Sequence, residues 1–402
     1  MSTWHIIVEG SLLSVAGLLA SLPILIIVTF AGQLSVFDLD VVGLVVAGQM
    51  LLVTAMTQGA LWTFQPQFAS VVASGDNVRV RTVFQTGIVA VSILFWLVAA
   101  PLLLLSPFIF LVLQQNHQVA YAAGFCLMGT IPGLFGNLLH EVLANLYIAQ
   151  QRGVVVVAST FTMSIVCLIF NFVLVLGLKL ELFGIIISLN LSYISALVVL
   201  LSITFLMKSQ RDLNLLSYTS DSIQNVRPVL WSIAIASLMG LAGSFFFELG
   251  TILAGILGKI ELAAQAILSR YTFFINEILS GFYKPNIVHI SKAYAIRDKG
   301  LYFHQLRVAL LLLFFFGVLY TVLNIVTRYP LANLVTHETL VVELTASVTP
   351  LVAISNLLLF GWVSSAIVFL STDNVVIPSI IGNTKPIPFN TRTVHIFIHF
   401  IN

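Results

Sequence analysis

The chain has 402 residues, of which 59% are hydrophobic and only 8% charged, with a formal net charge of +2. A soluble globular domain carries roughly 25% charged residues, so a soluble enzyme or binding module is excluded, and mean hydropathy is +1.08. The net charge is too small to suggest a nucleic-acid partner, and no Lys/Arg-rich block exists.

Long apolar runs lie near 10–31, 42–66, 83–111, 119–147, 154–177, 183–207, 229–257, 262–283, 305–327 and 341–371. Each is long enough to cross ~30 Å of hydrocarbon as a helix and too long for a barrel strand. The expected fold class is therefore all-α: a polytopic membrane protein of two helical bundles, six spans plus about four, related by a pseudo-two-fold. The first run is read as a membrane helix rather than a cleaved leader, because it lacks a basic region before it. Cys126 and Cys167 fall inside runs, so no disulfide framework is indicated. Pro101 and Pro132 each remove a backbone donor and are expected to kink their spans.

Lys and Arg set the orientation. Connections after the even-numbered spans hold Arg79, Arg81, Arg152, Lys208, Arg211, Arg227, Lys284, Lys292, Arg297, Lys299 and Arg307; those after the odd-numbered spans hold Lys179, Lys259 and Arg328. That imbalance places the N-terminus in the cytoplasm. The polar stretch 208–228 reads as a linker between an N-terminal bundle (1–207) and an incomplete C-terminal bundle (229–372). Six spans before it make the second bundle a parallel repeat. Ala47-Gly48-Gln49 and Ala263-Ala264-Gln265 are a faint internal echo of that repeat. Beyond 372 the chain is Pro-rich without a span-length run, so 373–402 is expected to be an irregular tail.

The polar groups inside the spans carry the functional argument. A charge at bilayer depth costs at least ~2.5–3.5 kcal/mol unless it faces protein or water. Glu248, Arg270 and Glu277 therefore have to face an interior. Glu248 reads either as a cation or proton site, or as the structural partner of Arg270 on the next span. Arg270 and Glu277 stand two turns apart on one helical face; they either line a charged cavity wall, or Arg270 neutralises Glu248 so that both helices insert. Asn137, Glu141 and Asn145 recur at i, i+4 and i+8 beside His140, a polar stripe that would line the first bundle's cavity or join helices by hydrogen bonds. Glu9, Asp38, Asp40, Glu181 and Glu261 lie near run ends and are expected to be solvated. Aromatic side chains such as Trp62, Phe64, Phe245 and Tyr271 offer cation–π surfaces, or simply fill lipid-facing positions. No zinc-protease, nucleophile-elbow or phosphate-loop pattern is present, which argues against an enzyme and calls for no cofactor. Gly240 to Ser244 is better read as a close-packing stretch than as a serine nucleophile.

The run FELGTILAGILGKIELAAQAIL, Phe247 to Leu268, resembles the seventh and eighth helices of MATE (multidrug and toxic compound extrusion) transporters of the eukaryotic type. Ile131 to Phe135 with Ala149-Gln150, Phe170 to Gly184, and Pro350-Leu351 fit the family in order. The departures are specific. The signature after the second helix is altered over Ala60 to Phe68, and its companion is degraded over His289 to Asp298. One family Glu of the seventh helix falls at Gly243, leaving Glu248, and a Glu of the eighth falls at Arg270. The family has twelve spans, so two are expected to be missing here. The resemblance implies a secondary antiporter in the bilayer that exports small organic, often cationic, compounds against H+ or Na+; the buried polar groups Glu248, Glu141, Arg270, Glu277 and Asn137 are its candidate binding residues. A flippase for lipid-linked sugars and a truncated, non-transporting membrane protein are the other readings.

Overall fold

The computed structural model describes residues 3–207, 213, 215, 226–270, 273, 289, 290, 293 and 299–354. Most of the expected linker 208–228, the whole tail 373–402 and Glu277 fall outside the described residues. Within them there is helix and no strand. In chain order the helices are α1 (Thr3–Leu34), α2 (Val36–Ser74), α3 (Asn77–Leu104), α4 (Ser106–Val112), α5 (His117–Gly129), α6 (Ile131–Ala149), α7 (Gly153–Gly177), α8 (Glu181–Leu206), α9 (Val226–Leu257), α10 (259–270), α11 (Lys299–Val335) and α12 (Thr339–Ile354). Among the described residues, six helices are long and apolar enough to cross a membrane, or seven if α5 and α6 count as one bent span. Where the apolar runs are described they fall on these helices; most of 271–283 and all of 355–371 lie outside the described residues.

The breaks have local causes. Pro23 sits inside α1 and leaves the carbonyl of Leu19 without its helical donor. The Ser164 hydroxyl of α7 donates to that carbonyl, so the proline becomes a helix–helix contact. Gly75 ends α2 in the left-handed conformation (φ 70°). Asp76 then caps α3 by accepting from the Val78 and Arg79 amides at 3.1 Å each. Pro101 follows a wide π turn at Phe95–Ala99 that loosens the helix just before the ring. Pro132 opens α6 after a 51° bend from α5. Asn190 of α8 clamps this bend: it accepts from the Gly133 amide at 2.6 Å and donates to the Gly129 carbonyl at 2.8 Å. Asn190→Leu should therefore lower stability by about 1–3 kcal/mol, read as a fall in the melting temperature of the purified protein; an unchanged melt would show the clamp to be idle.

α7 lies between α1 and α8, and α8 packs on α6; α9 runs along the second half of α2 and beside α3. The helix starts of α2 and α10 share a design. Ser35 caps α2 and accepts from the Asp38 amide at 3.0 Å. At the other start, Gly258 lies against the Glu261 carboxylate, with 2.5 Å from Oε2 to the place of a glycine Cβ. Counting from these caps, α2 and α10 cross at equivalent residues. A Cβ on Gly43, eight residues past Ser35, would stand 2.8 Å from the Ala266 Cβ, eight past Gly258. This register differs from the Gln49/Gln265 echo seen in the sequence.

One expectation is overturned at this start. Ser35 carries α2 six residues earlier than the apolar run begins, which draws Asp40 inside the packing. Asp40 is fully buried rather than solvated, and neither carboxylate oxygen has a hydrogen-bond partner among the described residues. Asp38 and Glu261 are half-buried and Glu181 is exposed; the Glu9 side chain lies outside the described residues.

Candidate ion and substrate site

The turn at Gly258 folds α10 back along α9, and Gly250 makes room for the Gln265 side chain. This contact brings Glu248 and Arg270 together: Arg270 Nη2 donates to Glu248 Oε1. Thr251 Oγ1 donates to the other carboxylate oxygen at 3.1 Å, and Arg270 Nε donates to Ser269 Oγ at 3.2 Å. Both charged side chains are almost wholly buried, 4% and 2% exposed. Arg270 Nη1 has no partner among the described residues. Of the two readings that the sequence left open, the structure thus contains the pairing. A buried ion pair stabilises little relative to an apolar pair, but removing one partner leaves an uncompensated charge. The Glu248–Arg270 pair is net neutral, and the two N–H groups of Arg270 Nη1 have no acceptor among the described residues.

The second group stands on α6, which packs on α2, α3 and α8. His140 is buried with Nε2 at 2.9 Å from Ser159 Oγ, and Glu141 lies 3.9 Å from His140 Nδ1. Asn137 and Glu141 are half-buried. Asn145, the third member of the stripe, is buried with no hydrogen bond to its amide among the described residues. Glu277, the remaining expected site residue, lies outside the described residues.

Sequence reasoning missed three buried polar side chains of α2. Asp40, Gln49 and Gln65 are all within 2% of full burial, and none of their side-chain oxygen or nitrogen atoms is hydrogen-bonded among the described residues. The signal for Asp40 was the Ser35-to-Asp38 spacing, a helix-start pattern that precedes the apolar run.

The sequence model of the MatE family matches residues 13–174 and 234–384. Human multidrug and toxin extrusion protein 1 is 29% identical over 126 residues, 31% of this chain; the match spans 22% of the human protein's length. The crystal structure of the eukaryotic MATE transporter AtDTX14 has a TM-score of 0.81 at 16% identity, covering 92% of this chain and 84% of that one. A variant of the Vibrio cholerae MATE transporter VcmN has a TM-score of 0.74 at 17% identity, covering 92% and 83%. These structures share the fold. With more than half of its residues matched by the family's sequence model, the chain belongs to the MatE family.

Proposed function

We propose that this chain is a secondary antiporter that exports organic, often cationic, compounds from the cytoplasm against an inward flow of H+ or Na+. In this reading the N-terminus is cytoplasmic, and bundles 1–207 and 229–372 rock about a central cavity on the linker 208–228. The observation that carries it is an acid, Glu248, kept inside a MatE-family chain between two helices and beyond reach of water. A proton on Glu248 would remove the charge that holds Arg270, so the pair is a switch whose two states differ in which helix contacts survive. Glu141 and Asn137 are the corresponding polar groups of the first bundle.

The test is uptake into proteoliposomes under an imposed pH gradient. Glu248→Gln, checked for intact folding by size-exclusion profile, should slow uptake by at least about tenfold, some 1.4 kcal/mol of barrier. Equal rates would remove Glu248 from the mechanism. One observation favours a second reading, a flippase for lipid-linked sugars: the spare N–H on Arg270 suits a phosphate oxygen. Competition of the uptake by an organic cation but not by a lipid-linked sugar would decide for the exporter.

A further inference from the structure

Asp40 stands where α2 is pressed against α10. One turn further along the helix Gly43 meets Ala266, close enough that no side chain larger than hydrogen fits there. In the common register of the two helix starts, the residue equivalent to Asp40 is Ala263, also fully buried. At that position, then, α2 has a carboxyl group where α10 has a methyl. Its two oxygens find no hydrogen-bond donor among the described residues. A carboxylate in such a place loses its hydration with nothing in exchange, a cost of several kcal/mol. Burial of this kind favours a neutral acid.

The other charges near this crossing are accounted for. Lys259, exposed at the start of α10, acts on Asp40 through space. On α5, Cys126 interacts with Asp38, and His117 lies at the helix start. On α9, Glu248 is held by Arg270. On α1, His5 and Glu9 stand at the end away from Ser35. No cluster of three or more metal-ligating side chains occurs among the described residues. A metal ion needs several oxygens around it, whereas a proton needs one.

We propose that Asp40 is a proton site that gates the crossing of α2 and α10: the two helices close only over the protonated acid, and when they part the freed carboxylate turns to Lys259 at the rim. Closure of this end is thereby tied to the uptake of one proton. The site deepens the antiport reading and takes its transport role from it.

Infrared spectroscopy of the full chain in lipid tests the site itself, whether or not the liposomes transport. The wild type at neutral pH should show a carboxylic-acid C=O band that exchanges slowly in D2O. Asp40→Asn, nearly the same in shape, should lose that band, and Glu248→Gln should keep it. Gly43→Leu, which wedges the crossing apart, should speed its exchange at least tenfold. The proposal is overturned by a band that survives in Asp40→Asn, by its absence from the wild type, or by its disappearance on adding Na+, which would assign the carboxylate to the metal ion.

Discussion

Glu248→Leu is expected to destabilise the purified protein by about 3–5 kcal/mol, more than Arg270→Leu does. The asymmetry follows from chemistry. A guanidinium stays charged under all ordinary conditions, so Arg270 without its partner is a buried cation with no relief, whereas an abandoned carboxylate can take up a proton. The double variant Glu248→Leu with Arg270→Leu should recover most of the loss, because two apolar side chains at these positions leave no charge to solvate. Thermal unfolding followed by loss of the monodisperse peak measures all three. Equal melting temperatures for the two single variants would refute the asymmetry, and a double variant no better than Glu248→Leu would show that the pair is not coupled.

Gly59→Leu carries the second large effect. A Cβ at Gly59 would stand 2.2 Å from Ser237 Oγ, 2.6 Å from the Ser237 backbone N and 2.8 Å from its Cα. A hydroxyl can rotate away; a helix backbone cannot. The substitution therefore pushes α9 off α2, and over-packing of this sort costs about 1–3 kcal/mol even where side chains can adjust. Here the cost should lie at or above that range, with pH-driven uptake reduced by at least about tenfold. Adding Ser237→Gly to Gly59→Ala should restore part of the stability that Gly59→Ala alone loses, since it removes the hydroxyl and leaves the backbone contact. Complete restoration would mean that the backbones are not in contact, and no restoration would mean that the seam lies elsewhere.

The spans were legible because a run of apolar residues longer than any strand has one solution in a bilayer. Arg270 and Glu248 were legible as partners for a related reason: each, alone at that depth, would be prohibitively costly. Asp40 was not. Hydropathy placed it before its span, and only the Ser35 cap, a single side-chain hydroxyl, carries the helix past it. Pro132 announced a break, but the 51° bend is held by Asn190, 57 residues beyond Gly133, a contact that no local pattern encodes. The π turns, such as that at Met50–Thr54, left no mark in composition at all. Asn137 and Glu141 sit half-buried on α6 in the periodicity expected of them, yet Asn145, on the same stripe, is enclosed.

Two of the close contacts of α2 with the later half of the chain are Gly43 against Ala266 and Gly59 against Ser237. Sixteen residues of helix separate these grips, about 24 Å along the axis, most of the thickness of the hydrocarbon layer. The widened turn Met50–Thr54 lies between these two contacts. A shift of α2 as one rod is therefore felt by α9 and α10 together.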